Sequence, residues 1–305
     1  METVVVGTRR SHLAQAMVQE FLGRLSSCPV VNFQSRQVSS AGDQDRKSSL
    51  SEIGGSRGGA FSSQLEEELF AGRIDVAVHS LKDLPTAMPD ALSLATTPPR
   101  EDIHDALCGS TLAGLRKGAK VGTGAVRRIA QLKAVRPDLD IVPIRGNVPP
   151  RLAKLKNGFD AVVLSASGLR RLGLEDKITE LLPLEQFPPS PGQGAMGIQV
   201  RRSDTELLAM LNEFGDPVAD VTVRAERALL AELHGGCSVP IGAYALLGPD
   251  GSTLTLTGQV TSVDGSRQIN GTVEGTNPEE LGKTLAEILL QRGAESILQE
   301  IRTPV

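Results

Sequence analysis

This chain has few aromatic residues and no excess of basic charge. Aromatic residues make up 3% of the 305 residues, with no Trp and one Tyr, so we expect no stacking platform for single-stranded nucleic acid. The formal net charge of −4 argues against a general polyanion binder, because such proteins carry a basic surface. We therefore expect no nucleic-acid partner, and any anion site must come from a local cluster of basic residues.

Cysteines are few, and long apolar segments are absent. Cys28, Cys108 and Cys237 form no CxxC pair, and their odd number disfavours both a disulfide framework and a structural metal site. No apolar run has the length needed to span a bilayer, and the strand-like run at 3–6 is not preceded by a signal-peptide pattern. We expect a cytoplasmic protein with no metal and no membrane partner. No exposed apolar stripe demands a partner subunit, so a monomer is expected.

Strand and helix patterns alternate over the first two-thirds of the chain. Buried strand-like runs at 4–6, 74–79 and 161–164 are separated by helical patterns such as 11–22 and 126–135. This alternation favours mostly parallel sheets flanked by helices. The pattern starts afresh after Pro98-Pro99, which indicates two α/β units of similar size with a crevice between them.

Residues 215–305 show a different pattern. A helical pattern stops at Gly235-Gly236, as two glycines should stop it, and three strand-like runs follow. Asp250-Gly251 and Asp264-Gly265 predict hairpin turns, and Asn277 predicts the cap of a final helix. The expected fold class is therefore α/β, with two α/β domains around a crevice and a small α+β C-terminal domain with a three-stranded antiparallel sheet. The predicted domains are 1–96 with 195–214, then 97–194, then 215–305.

Arginines recur just after predicted strands or at the start of the next helix. In open α/β sheets these positions converge beyond the carboxyl ends of the strands, where guanidinium groups suit carboxylate or phosphate. For any single arginine, a solvated helix start is the simpler explanation. So many arginines at the same topological place favour a polyanionic ligand. These arginines are Arg9, Arg10, Arg127, Arg128, Arg145, Arg151, Arg170 and Arg171.

Two further segments carry candidate chemistry. Ser80 and Lys82 follow a predicted strand and can hold an anionic group, and Asp83 is placed to face the crevice. A carboxylate in a turn before Pro85 is also a common structural device. Cys237 follows two glycines on a loop that leaves a helix, where its thiol could project toward another domain; a small buried residue is the alternative. The glycine-rich stretch 54–59 lacks the ending of a nucleotide P-loop and is interpreted as a mobile lid.

Taken together, six segments resemble the porphobilinogen deaminase family, in the family's order and along nearly the whole chain. They are 7–14, 78–85, 145–147 with 151, 168–174, 191–195 and 235–240. The resemblance implies two domains of the periplasmic-binding-protein type and a third domain that carries the cofactor cysteine. It also implies one covalent dipyrromethane cofactor per chain, attached to Cys237 by a thioether.

The resemblance further implies the reaction and the site. Four molecules of the substrate porphobilinogen would be joined head to tail with loss of ammonia, and hydrolysis would release hydroxymethylbilane. Asp83 matches the family's catalytic carboxylate, and Arg57 and Phe61 match its lid. Positions that match binding residues for cofactor or substrate are Arg9, Ser11, Ser80, Lys82, Thr123, Arg127, Arg128, Arg145, Arg151, Gly168, Arg171 and Gln193.

The chain departs from the family pattern at two places. Gly124-Ala125 stand where the family usually has hydroxyl side chains, and the lid segment 54–61 is two residues longer than usual. The alternative function is a two-lobed anion- or solute-binding module without catalysis, since two α/β lobes around a crevice also serve such proteins. A binding module needs neither the loop at 235–237 nor a third domain to carry it.

Overall fold

A computed structural model describes residues 2–26, 31–39, 62–235 and 239–302. Its strands are β1 (Glu2–Arg9), β2 (Val31–Val38), β3 (Val76–Ser80), β4 (Leu92–Thr96), β5 (Asp105–Cys108), β6 (Lys120–Thr123), β7 (Asp140–Pro143), β8 (Ala161–Ser165), β9 (Glu180–Leu181), β10 (Met196–Arg201), β11 (Ile241–Leu247), β12 (Leu254–Thr261) and β13 (Gln268–Gly275). Its α-helices are α1 (His12–Leu25), α2 (Ser63–Phe70), α3 (Val126–Val135), α4 (Val148–Leu152), α5 (Ala166–Arg171), α6 (Thr205–Asn212), α7 (Pro217–Glu232), α8 (Pro278–Leu289) and α9 (Glu295–Arg302).

The chain divides into two compact units. The first comprises residues 1–101 and 194–220, and the second comprises 102–193 and 221–305. Each unit is therefore built from two separate stretches of sequence. The three-domain bounds drawn from the sequence remain a prediction.

The first unit is built around a five-stranded sheet in the order β2-β1-β3-β10-β4. Strands β1, β2 and β3 are parallel, and β10 runs antiparallel to both β3 and β4. Val6 and Val78 are buried in the sheet, and α1 packs Met17 and Phe21 into the same core. Because β1 and β3 run parallel, their carboxyl ends lie at the same edge of the sheet.

The second unit contains a five-stranded sheet in the order β7-β6-β8-β5-β9. Strands β6, β7 and β8 are parallel, and β5 is antiparallel to β8 and β9. Both faces of this sheet are covered by apolar side chains: Leu132 and Val163 belong to one core, and Leu164 and Leu169 to another. Burial on both faces explains why β8 reads as a continuous apolar run.

A three-stranded antiparallel sheet, β11-β12-β13, completes the second unit. Gly251 and Gly265 take positive φ values of 70° and 79° in the two connecting hairpin turns. Helices α7, α8 and α9 supply Leu229, Leu285 and Leu298 to the core against this sheet. Asn277 caps α8 by accepting hydrogen bonds from the N–H groups of Glu279 and Glu280, as predicted.

The end of α7 differs in detail from the expectation that glycine would stop it. His234, not a glycine, takes the left-handed conformation, with a φ of 46°. The N–H of His234 donates to Ala231 O at 2.9 Å and the N–H of Gly235 donates to Leu230 O at 2.8 Å, which is a Schellman motif. A Cβ at Gly235 would lie 2.4 Å from Leu230 Cδ1 and 2.7 Å from Ile241 Cδ1, so a larger residue there would have to displace these two side chains.

The predicted fold class is confirmed by the two mostly parallel sheets and the small antiparallel sheet. The sequence patterns missed β4, β5, β9 and β10, of which β5 and β10 run against the other strands of their sheets. In the described part of the chain, no helix combines the length and apolar character that a membrane crossing requires.

Candidate active site

Two predicted binding residues of the first unit lie where β1 passes into α1. Arg9 ends the strand and is half-buried. Ser11 is the N-cap of α1, and its Oγ accepts a hydrogen bond from the N–H of Ala14 at 3.2 Å. Ser11 Oγ is therefore engaged in capping α1, and the contact of Ser11 with cofactor or substrate remains a prediction.

The segment after β3 holds Ser80, Lys82 and Asp83. Strand β3 ends at Ser80, and Leu81–Asp83 form a single 3-10 turn. Leu81 anchors this turn because its side chain is fully buried and its N–H donates to Ala195 O at 3.0 Å. Both Lys82 and Asp83 are half-buried on the anchored turn.

The carboxylate of Asp83 has no partner in the part of the chain that the structure describes. Among the residues that the structure describes, none donates a hydrogen bond to Asp83 or forms an ion pair with it. A half-buried carboxylate without a partner is uncommon for a purely structural turn residue, since turn carboxylates usually accept backbone hydrogen bonds.

His79 lies beside this turn and is nearly fully buried. Its Nε2 lies 3.0 Å from Gln199 Oε1, and the amide of Gln199 donates to Glu66 at 3.0 Å. Burial lowers the pKa of His79 to about 4, the positive charge of Arg9 adds to the effect, and the Gln199 hydrogen bond opposes it. His79 is therefore neutral at physiological pH.

In the second unit, predicted binding residues lie at the carboxyl ends of β6 and β8. Thr123 ends β6, and Arg127 and Arg128 occupy the first turn of α3. Because β5 is antiparallel to β8, pairing Asp105 with Ser165, the first residue of β5 lies at this same edge. The topology thus brings a carboxylate to the two arginines.

Asp105 binds both arginines. Its Oδ2 accepts from Arg127 Nη1 and its Oδ1 from Arg128 Nη2, both at 2.8 Å. Burial raises the pKa of Asp105, but the positive charges of the two arginines outweigh burial and hold this pKa well below its usual range. Asp105 is therefore ionised.

Gln193 joins the same cluster and is fully buried. Its amide donates to Asp105 Oδ1 and to the backbone oxygen of Ile103, both at 2.8 Å. Gln193 therefore acts on Asp105, and its predicted contact with cofactor or substrate remains a prediction.

Arg145 and Arg151 follow β7. Arg145 is half-buried, and within the described chain no hydrogen bond or ion pair engages it. The Nε of Arg151 donates to Gly146 O at 2.7 Å, which holds this side chain along its own loop.

A Cβ placed at Gly124 would lie 2.4 Å from Ile144 O and 3.8 Å from Arg151 Nη1. At residue 124, where the chain departs from the family pattern, the backbone of Ile144, the residue after β7, therefore approaches closely.

Gly168 and Arg171 lie on α5, directly after β8. Gly168 is buried inside this short helix, whereas Arg171 is half-buried. The remaining predicted residues, Cys237, Arg57 and Phe61, lie outside the described residues.

Sequence reasoning missed three buried or half-buried acids. Asp105 and Asp102 belong to the acidic run at 101–105 before β5, which was the available signal. Asp102 pairs with Arg170 at 3.0 Å and with His104 Nδ1 at 2.6 Å. Glu226 is fully buried on α7, where its carboxylate accepts from the N–H groups of Gly192 at 2.7 Å and Ala245 at 2.9 Å. Glu226 lies three residues from both Val223 and Leu229, so helical periodicity places it on the buried face of α7, which was the available signal.

Comparisons with family models and with curated proteins match the same family. Residues 4–209 match the model described as "Porphobilinogen deaminase, dipyromethane cofactor binding domain", and residues 221–291 match "Porphobilinogen deaminase, C-terminal domain". The chain is 43% identical to the porphobilinogen deaminase of Roseiflexus castenholzii, covering 97% of this chain and 98% of the relative. It is 42% identical to that of Brevibacillus brevis, covering 97% and 96%.

Among solved structures, the chain is similar to the periplasmic VFT2 domain of Bordetella pertussis BvgS, with 17% identity, a TM-score of 0.41, and coverage of 70% of this chain and 86% of that chain. The two family models together account for most of the sequence, and the curated relatives match it over nearly its full length. The chain therefore belongs to the porphobilinogen deaminase family.

Proposed function

We propose that this chain is a transferase that condenses four porphobilinogen molecules head to tail, with loss of ammonia, to give hydroxymethylbilane for tetrapyrrole biosynthesis. The observation that carries the proposal is the set of cationic side chains at the carboxyl ends of the second sheet, in a chain of this family. Each pyrrole of the substrate brings an acetate and a propionate, and guanidinium groups match carboxylates in charge and geometry.

The donors of the second unit fit a dipyrromethane cofactor. Arg128 Nε and Thr123 Oγ1 are buried without a hydrogen-bond partner, and Arg145 has no partner among the described residues. Buried polar atoms in native proteins are normally satisfied, so unsatisfied donors point to a ligand that completes them. A group with several carboxylates would complete them.

Each unit would contribute its own binding residues. In the first unit, Arg9, Ser11, Ser80 and Lys82 would bind cofactor or substrate carboxylates. In the second unit, the corresponding residues would be Thr123, Arg127, Arg128, Arg145, Arg151, Gly168, Arg171 and Gln193. Arg57 and Phe61 would belong to the lid.

Asp83 would be the catalytic residue. Its partnerless carboxylate would accept a hydrogen bond from the ammonium group of porphobilinogen as ammonia leaves. The same carboxylate would then face the positive charge that develops on the pyrrole nitrogen, and this would stabilise the charge. The cofactor, when bound, would supply the free α-carbon of its terminal pyrrole as the nucleophile.

Cys237 would hold the cofactor through a thioether. Cys108, the one cysteine among the described residues, is unsuited to this role: it is fully buried in β5, and burial raises the pKa of its thiol to about 11. A thiol with a raised pKa is a poor nucleophile. The Schellman motif at His234 directs the chain out of α7 only three residues before Cys237.

Intact mass spectrometry of the purified protein tests the proposal. The wild-type chain should exceed its sequence mass by one dipyrromethane, and Cys237→Ala should abolish this increment. Cys108→Ala is the matched control and should keep it. A wild-type chain at its sequence mass that gains neither the increment nor activity when given porphobilinogen would contradict the proposal.

A two-lobed anion-binding module without catalysis is disfavoured, because curated relatives that match nearly the whole chain are named as enzymes. We further propose that the enzyme is monomeric and cytoplasmic, without nucleic-acid or membrane partners. The negative net charge and the sparse cysteines support this.

A further inference from the structure

One carboxylate holds both arginines of the 127–128 pair. Asp105 donates nothing and accepts three hydrogen bonds, from Arg127 Nη1, Arg128 Nη2 and Gln193 Nε2, each at 2.8 Å. Asp105 and Gln193 are 0% exposed, and the two arginines are 5% and 6% exposed. We call Asp105, Arg127 and Arg128 the Asp105 cluster.

The remaining contacts of the cluster are neutral. Arg127 Nη1 also donates to Gln131 Oε1 at 2.8 Å and to Pro188 O at 2.9 Å. Arg128 Nη1 donates to Val163 O at 3.2 Å. Within the described ranges, Asp105 is the sole carboxylate in ion-pair distance of either guanidinium. Two positive charges therefore face one negative charge.

A surplus positive charge in this setting is costly. A buried charge without a counter-charge loses its hydration and gains little in return, so it favours the entry of an anion. A second, independent observation agrees: Arg128 Nε is buried and has no acceptor. The cluster thus lacks one negative charge and one acceptor atom.

We propose that Asp105 is the positioning residue of this site, orienting both guanidinium groups and leaving the cluster with one uncompensated positive charge, so that it takes one ligand carboxylate. The inference rests on the proposed function for the origin of that carboxylate, an acetate or propionate of either the cofactor or the substrate. Gln193 supports Asp105 without changing the charge of the cluster. The 191–195 segment therefore contributes to the site through Asp105.

The test compares Asp105→Asn with Asp105→Glu. The first removes the charge and keeps the shape, and the second keeps the charge. Asp138→Asn is the matched control, since Asp138 pairs with Arg136 at 2.8 Å but is partly exposed. Urea unfolding establishes that each variant is folded, intact mass gives the fraction carrying the cofactor, and initial rates give KM and kcat.

The two readouts separate the two sources of the carboxylate. If the cofactor supplies it, the cofactor-loaded fraction of Asp105→Asn should fall severalfold, because both guanidinium groups lose the carboxylate that orients them even though the cluster gains positive charge. If the substrate supplies it, KM for porphobilinogen should rise about tenfold or more, with kcat per loaded molecule changed much less. Asp105→Glu should recover part of either loss. A folded Asp105→Asn variant with wild-type cofactor load and wild-type KM overturns the inference.

A second comparison covers the case in which Asp105→Asn does not fold. In Arg127→Gln, Asp105 and Arg128 remain as a neutral pair. In the double variant, Arg127→Gln with Asp105→Asn, Arg128 has no carboxylate partner in the cluster. The double variant therefore has the same surplus of one positive charge as the wild type. If Asp105 positions Arg128, the double variant should have a lower cofactor load or a higher KM than Arg127→Gln. Equal values for both quantities overturn the inference. A failure of the proposed function would be distinguishable from a failure of this inference, because the wild-type protein itself would then carry no cofactor and form no hydroxymethylbilane.

Discussion

His79 should make the stability of this protein depend on pH in a defined window. The pKa of the folded-state imidazole is lowered to about 4 by burial, against about 6.5 in an unfolded chain. The folded state therefore prefers neutral His79, and its contribution to stability is fully present above pH 6.5 and is lost as the pH falls through that value toward 4. From these two pKa values, protonation of His79 in the unfolded chain should lower the free energy of unfolding by about 2 kcal/mol between pH 7 and pH 5.

Urea unfolding of the wild type and of His79→Gln at pH 7 and pH 5 measures this cost. Glutamine can still hydrogen-bond Gln199 but does not titrate, so the variant should lose about 2 kcal/mol less than the wild type over the same interval. His12→Gln replaces an exposed histidine on α1 and should leave the wild-type pH dependence in place. Equal losses in wild type and His79→Gln would show that His79 takes up a proton in the folded state despite its burial.

Three further outcomes are expected. Asp83→Asn should keep the cofactor by intact mass and lower kcat by about 10²–10⁴, as removal of a catalytic carboxylate does. The control Asp90→Asn, at an exposed site, should leave kcat unchanged. Near-normal turnover of Asp83→Asn would remove Asp83 from the mechanism. Arg145→Gln should raise KM about tenfold, with an unfolding free energy close to wild type because no partner in the described chain is lost; an unchanged KM would argue against a ligand contact. Glu226→Gln should lower the free energy of unfolding in urea by about 1–3 kcal/mol, since one of two buried N–H groups loses its acceptor. Glu232→Gln, on the exposed side of α7, should have little effect. Equal free energies of unfolding for Glu226→Gln and the wild type would refute this.

Local signals in the sequence were sufficient where one residue type dictates one conformation. The Asp-Gly pairs at 250–251 and 264–265 predicted hairpin turns because Gly takes positive φ at no steric cost, and both glycines do so. Asn277 predicted the start of α8 because its side chain accepts the N–H groups that no helical carbonyl reaches. The apolar run of β8 predicted a strand that is buried on both faces.

Nonlocal pairing could not be deduced in the same way. Strands β5 and β10 are held by partners far along the chain, and their short runs lack a turn signal that would show a reversed direction. The end of α7 shows the same limit on a smaller scale, because the left-handed conformation falls on His234 and not on Gly235, against the ordinary preference of glycine for it.

The amino-acid sequence alone determined the family and the fold class, and it predicted the residue types of the site, because these rest on motifs and on local conformational preference. Only the tertiary structure decided how those residues are used. Asp105 becomes the partner of Arg127 and Arg128 because the reversal of β5 brings its first residue to the edge where β8 ends and α3 begins. Charge balance in a buried cluster depends on which groups meet in space, and spacing along the chain does not specify that.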